Sequence, residues 1–362
     1  MDSSSNGMRR PSVLPSLRDV RTIDLQRGSR LLPTMMKALP AVVFLALALV
    51  QDVCLAKEKT FQNPLNPSAD PWMGYDDGEY HLSTTQGDCV RLWSAKSITG
   101  LSKAEPVTIW KKGKGVWAAE FHKLKEEKGK LRWYCYFTKT DGADERHRMF
   151  VMESKGDSIK GPYGNPKQLK TDAEDEFYAI DGNVMDVDGK LYFLWAGHPG
   201  HQIFISRMKS PTRLEGDRVL IRASGFGCEE VREGPYVIRH GDKLFLTYSA
   251  CDTGKPDYKV GYLWANVASD LMKTGSWTQE GQPLLERADG NKVFGPGHHG
   301  FFKSPDGKED WIVYHGKTTD AYTYRGRSTR AQRLEWDDKG FPKKVVPLPL
   351  EDAVPLPSGD RG

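Results

Sequence analysis

The chain reads as all-β, and more narrowly as a five-bladed β-propeller. Three observations predict this fold. First, one phrase recurs five times at a period of roughly 50–65 residues, longer than common propeller repeats but of that kind. In each copy a polar residue at a turn precedes a strand pattern rich in aromatics. Asp70 leads Tyr80, Glu120 leads Trp133, Asp181 leads Tyr192, Glu233 leads Phe245, and Gly295-Pro296-Gly297-His298-His299 leads Trp311. Second, from Phe61 onward, short apolar and aromatic runs break at Asp-Gly, Gly-Asp-Lys or Pro-Asp-Gly, the punctuation of hairpins. Third, no long amphipathic helix interrupts them.

The elements follow in order. Residues 1–34 read as an N-terminal extension or a misassigned start, because Met35 and Met36 stand directly before a targeting pattern. Residues 35–56 read as a signal peptide: Lys37, the apolar run Ala41–Val50, then Cys54-Leu55-Ala56 before Lys57. The run is too short to span a bilayer comfortably. Cys54 lacks a lipoprotein context, so no lipid anchor is expected. The propeller is expected over 57–350, with blades near 61–112, 115–172, 177–225, 229–287 and 293–348, followed by a surface tail over 351–362. Asp188-Gly189 is a hairpin signal. Asp186-Val187-Asp188-Gly189 looks like the head of a calcium loop but lacks its later glutamate, and is read as that turn. The charged stretches Lys123–Lys130 and 141–148 are read as a solvated hairpin tip and an exposed loop.

Composition narrows the class. With 38% hydrophobic residues and ten tryptophans, a substantial core is available. Most of the tryptophans are expected between sheets. Net charge is +4 overall, but residues 57–362 hold 45 Lys/Arg against 44 Asp/Glu. No basic run with interleaved aromatics is present, so nucleic acid is not an expected partner. Cys89, Cys135, Cys228 and Cys251 remain after cleavage and allow three pairings, with no Cys-x-x-Cys to suggest zinc. Cys135 lies in a strand pattern and is read as a buried thiol.

In a propeller, residues that start the inner strands face a central funnel. The repeat puts Asp70, Glu120, Asp181, Glu233 and His298 there. Converging carboxylates push some pKa values up. That is what glycoside hydrolysis needs: one carboxylate to activate water and one carboxyl to protonate the leaving oxygen. Singly, each residue has a plainer reading, as a turn cap (Asp70, Asp181), part of the surface cluster with Glu229 and Glu230 (Glu233), or a structural histidine (His298, His299). Their shared place in the repeat carries the reading.

The motifs Asp70-Pro71, Ile180-Asp181-Gly182, Glu233-Gly234-Pro235, Gly295-Pro296-Gly297-His298 with Tyr314-His315, and Thr329-Arg330-Ala331-Gln332 occur in order at blade spacing. Together they resemble glycoside hydrolase family 43 over residues 61–347. The resemblance implies a five-bladed propeller and an inverting glycosidase. It implies Asp70 as general base, Glu233 as general acid and Asp181 as modulator of the acid's pKa. It also implies Arg330 as a substrate ligand near the base. His298 is similar to the family's axial histidine, which would help hold a calcium or sodium ion, through waters, in the central channel. No cofactor is implied for the chemistry. Trp117-Ala118-Ala119-Glu120 lacks the family's usual proline, and His299 stands where an asparagine is usual. Glu120, Trp117, Trp72 and Trp93 are candidate substrate contacts, with core packing as the alternative for the tryptophans.

The segments 245–254, 258–265 and 336–340 resemble the exo-acting α-L-arabinofuranosidase branch, which ranks first. A β-xylosidase or galactan-directed enzyme, an enzyme for an unusual algal or anhydro sugar, and a non-catalytic sugar-binding propeller are the alternatives. Kelch or WD signatures are absent at the required period. The expected partner is an oligosaccharide or polysaccharide. The mature chain is expected to be a periplasmic or secreted monomer that engages no membrane.

Overall fold

The computed structural model describes residues 59–126 and 129–362. The predicted extension and signal peptide lie outside the described residues. The regular structure described is almost entirely strand, arranged as five antiparallel blades. Blade 3 holds Ala179–Val187, Lys190–Gly197, Gln202–Ser210 and Arg213–Ile221 in consecutive order. Blade 4 holds Arg232–His240, Lys243–Ala250, Lys259–Asn266 and Thr278–Gln279. Blade 5 holds Phe294–Lys303, Asp310–Lys317 and Ser328–Leu334.

Blades 1 and 2 share one long strand. Val107–Lys125 pairs first with Gly87–Ala95, the third strand of blade 1, and then with Leu131–Thr140 of blade 2. It changes blade where Lys112 and Gly115 take positive φ. The sequence boundary between 112 and 115 falls at that bend.

Each interface between neighbouring blades is a separate apolar core, so the ring is held by five such seams. Leu92, Phe121 and Phe137 fill the seam of blades 1 and 2. Tyr136, Phe193 and Trp195 fill that of blades 2 and 3. Leu194, Leu246 and Tyr248 join blades 3 and 4, and Phe245, Ile312 and Tyr314 join blades 4 and 5. Tyr80, Leu82, Trp311 and Val313 join blade 5 to blade 1.

Residues near the start of the described segment and near position 355 complete this last seam. Asn66 bridges Thr329 at the open edge of blade 5, and the Asn63 side chain both donates to Ala331 O and accepts from Ala331 N. Residues 351–362, expected as a surface tail, are not loose. Ala353–Pro355 pairs with Thr60–Gln62, and Val354 is buried beside Phe61. The Lys123–Lys130 tip is a hairpin as expected, with Glu126 N–H donating to Lys130 O.

Candidate active site

Four of the five inner strands begin with the same local device. The residue at the funnel takes a left-handed φ, and a side chain from the preceding blade receives its peptide N–H. Asp70, Ala118, Asp181 and His298 have φ of 57°, 45°, 57° and 41°. Their N–H groups donate to His315 Nδ1, Thr85 Oγ1, Thr138 Oγ1 and Ser249 Oγ. In blade 4 the left-handed residue is Gly234, at φ 55°, and its N–H donates to Asp181 Oδ2 at 3.1 Å. Left-handed backbone is costly for residues with a Cβ and persists where surrounding structure over-determines it, often at functional sites. Each kink interrupts regular pairing and turns one side chain into the funnel.

The result is a cavity of about 400 Å³ lined by Asp70, Asp181, Glu233, His298, Arg327 and Trp117, with Asp144, Tyr178, Thr253 and Tyr324 completing its wall. The base candidate and the acid candidate sit in opposed environments. Asp70 Oδ1 lies 3.2 Å from Arg327 Nη1, 3.2 Å from His315 Nδ1 and 3.6 Å from His298 Nδ1. Burial alone would raise the Asp70 pKa, but the charges of His298 and Arg327, with help from His315, outweigh it and hold the carboxyl well below its ordinary range. Asp70 is therefore ionised.

Glu233 has both oxygens engaged. Tyr258 Oη donates to Oε1 at 2.7 Å, and His201 Nε2 approaches Oε2 at 3.4 Å, a charge contact without hydrogen-bond alignment. Asp181 is the member of the pair that burial and the charges of Glu233 and Asp70 push up, to about 7, although His298 and the Gly234 N–H oppose the rise. Burial also pushes Glu233 up, but His201, His298 and Tyr258 more than offset this and leave it lowered. Of the two carboxyls, Asp181 is thus the one whose surroundings favour the proton, while Glu233 is paired with His201. Burial disfavours charge on His201, but Glu233 outweighs it and raises the imidazole's pKa.

His298 stands between the carboxylates. Burial disfavours its charge, but Asp70, Asp181, Glu233 and Glu120 raise its pKa. It lies at the funnel floor, where the surrounding carboxylates favour its protonated form. Among the described residues no group of three or more His, Cys, Asp or Glu side chains has the geometry to hold a metal. The donor set therefore does not fit a directly ligated ion at His298.

Other sequence candidates fall elsewhere. Glu120 lies on the axis outside the cavity wall, with Oε2 accepting from Asn183 Nδ2 at 2.8 Å and His122 Nε2 at 3.0 Å. Asn183 Oδ1 in turn accepts from Val237 N, so Glu120 ties blades 2, 3 and 4. Trp117 does line the cavity, stacked on His147 at 3.8 Å between ring centroids. Trp72 and Trp93 do not reach it, because each is buried in a seam between blades. Arg330 does not reach it either. It lies opposite Tyr314 in the blade 5 sheet, fully buried, and its three side-chain nitrogens have no hydrogen-bond partner among the described residues. Arg327, three residues earlier and still in the loop, takes the place beside Asp70.

The 141–148 stretch is largely exposed, as expected, but its short 3-10 turn, Asp144–Arg146, also brings Asp144 to the cavity wall. His147 is buried, and Asp144 lines the site. Sequence reasoning also missed His201, Tyr258 and Arg327. The available signals were a histidine after a Gly-Pro-Gly-like turn, a tyrosine after an Asp-rich loop, and an arginine just ahead of a strand.

Glu229 and Glu230 are resolved as rim charges, paired with Arg232 and Lys255. The Cys228–Cys251 disulfide ties the loop that precedes Glu233 to the turn that follows Lys243–Ala250. Cys89 and Cys135 are buried thiols, the latter as expected.

Five blades around a funnel with three carboxylates and a histidine define a propeller with an axial acidic site. The chain belongs to glycosyl hydrolases family 43, whose family model matches residues 61–342. It is similar to an extracellular exo-α-(1→5)-L-arabinofuranosidase of Streptomyces avermitilis, at 33% identity over 80% of this chain and 64% of that protein. A Streptomyces chartreusis protein of the same description is 32% identical over 71% of this chain and 82% of its own length. Among solved structures, an α-L-arabinofuranosidase from Lactobacillus brevis superposes with a TM-score of 0.73 at 28% identity, covering 81% of this chain and 98% of that one. The chain thus spans slightly less than two thirds of the Streptomyces avermitilis relative.

Proposed function

We propose that the chain is an inverting exo-α-L-arabinofuranosidase acting on side chains or ends of oligosaccharides and polysaccharides. One observation carries the reading: a base held ionised and an acid-bearing carboxyl pair share one small cavity. Asp70 takes a proton from water as the water oxygen attacks the anomeric carbon. The bond to the leaving oxygen breaks, and that oxygen takes the proton of Glu233. Glu233 must carry a proton to do this. His298 and Arg327 keep Asp70 ionised and oriented. The small, partly enclosed cavity suits a single terminal furanose.

The names of the relatives support the arabinose assignment and an extracellular location. The Cys228–Cys251 disulfide fits an oxidising compartment. The test is a panel of p-nitrophenyl glycosides (α-L-arabinofuranoside, β-D-xyloside, β-D-galactoside) with protein starting near Lys57. Release from the arabinofuranoside, lost in Glu233→Gln, is expected. NMR of the first-formed sugar should show the inverted anomer. A folded protein silent on the panel, or a retained anomer, overturns the proposal.

A further inference from the structure

The rim of the cavity carries a feature that the hydrolysis does not use. Residues 318–327 link the last two strands of blade 5 and present Tyr322 and Tyr324, which are 63% and 54% exposed. Their rings lie 5.9 Å apart and their hydroxyls 3.1 Å apart. Tyr324 borders the cavity mouth. Tyr322 covers Gly254 so closely that a Cβ there would come within 2.6 Å of its ring.

The two rings are held, not merely displayed. The fully buried Lys317 spends its ammonium on three carbonyls, those of Gly254 at 2.6 Å, Ala321 at 3.0 Å and Thr323 at 3.2 Å. Thr323 N–H donates to Gly254 O, and Tyr324 Oη donates to Asp252 Oδ2 at 3.0 Å. Arg327, which touches Asp70, donates through Nε to Tyr324 O at 3.0 Å. A buried ammonium without a carboxylate partner is costly, and two rings left more than half exposed gain less from folding than buried rings would. Both are explained if the loop is pre-shaped for a ligand, since preorganisation removes the ordering cost of binding.

We propose that Tyr322 and Tyr324 form a rigid aromatic platform for the sugar ring next to the one cleaved, the first residue of the leaving chain. Tyr322 lies outside the partly enclosed cavity that would take the terminal furanose and Tyr324 forms the wall beside it, so the pair stands at the mouth through which the leaving chain would pass. Tyrosine offers an apolar face to the C–H side of a sugar and a hydroxyl to its edge, with little rotamer entropy to lose. Two rings are far too small for a stable protein interface, which needs about 800 Å² per partner. The platform rests on the glycosidase reading above, and it specifies selectivity for glycan over simple glycosides.

The experiment compares kcat/KM on α-1,5-arabino-oligosaccharides with that on methyl α-L-arabinofuranoside, which has no second ring, for wild type and Tyr322→Ala. The ratio of the two values is expected to fall by about tenfold, the scale of one lost aromatic contact, mainly through KM on the oligosaccharide. Tyr322→Phe should retain most of the ratio. An unchanged ratio overturns the platform. If wild type cleaves neither substrate, the glycosidase reading fails separately. Titration calorimetry of arabino-, xylo- and galacto-oligosaccharides against the same proteins then decides: weaker binding to Tyr322→Ala supports the platform, and equal binding or none overturns it.

Discussion

Replacing His201 by glutamine should move one limb of the pH–rate profile and leave the other in place. His201 Nε2 is 3.4 Å from Glu233 Oε2, and both side chains are largely shielded from water. At an effective dielectric of about 20, unit charges at that distance attract by about 5 kcal/mol. With about 1.4 kcal/mol per pKa unit, the ceiling is about three to four pH units. Charge spread over both ring nitrogens and both oxygens, and water at the cavity mouth, reduce this to an expected ~1 to 2. The sign follows from which form the imidazolium favours. It stabilises ionised Glu233 and so lowers the carboxyl's pKa. Without it the acid stays protonated to higher pH, and the basic limb of kcat/KM moves up. The acidic limb, set by Asp70, is governed by His298, Arg327 and His315 and should stay. The assay is kcat/KM for p-nitrophenyl α-L-arabinofuranoside across pH. A basic limb that stays or moves down refutes the reasoning.

Further outcomes follow from the same geometry. Asp70→Asn should lower kcat by at least about 10³-fold with the fold intact by circular dichroism, as expected for loss of a general base. Arg327→Met should raise the Asp70 pKa, because a cation holding it down is removed, so the acidic limb should move to higher pH; a fixed limb would count against the ion pair. Arg330→Met should leave activity on the aryl glycoside within about twofold and keep or raise Tm, because an unpaired buried guanidinium is exchanged for an apolar chain of similar length; a large activity loss would restore Arg330 to the site. Cys228→Ser with Cys251→Ser should cost about 3 kcal/mol in a denaturant melt, from the loop of 23 residues that the bridge closes.

The parts of the site legible in the sequence are those fixed by the blade repeat. Asp70, Asp181, Glu233 and His298 open inner strands, so their spacing placed them at the funnel before any contact was known. Glu120 obeys the same spacing but lies outside the cavity wall, because its oxygens are drawn to Asn183 and His122, two residues whose reach no repeat encodes. Arg327 and Arg330 differ by three positions across a loop-to-strand boundary, and the motif does not say which side of the strand faces the base. The 141–148 stretch was legible as an exposed loop, because five of its eight residues are charged. The place of His147 was not, because it is buried by its stack on Trp117, 30 residues earlier, and by its contacts with Tyr178 and Ala179. Glycine was legible where backbone geometry needs it: Gly234 sits at positive φ, and a Cβ at Gly182 would come within 2.2 Å of Phe193.

The join between Asn63–Asn66 and blade 5 sets the order in which the molecule can be finished. The first described residues find their strand partners only after Thr329 and Ala331 exist, more than 260 positions later. Such contacts pay the loop-closure cost of nearly the whole chain, which places them among the slowest to form. A nascent chain would therefore carry four blades and an unclosed fifth until its last segment emerged. Its open edge on blade 5 would meanwhile be a strand template facing solvent. The same arrangement makes the finished ring its own clasp: freeing residues 60–66 would expose both the edge of blade 5 and the strand Ala353–Pro355.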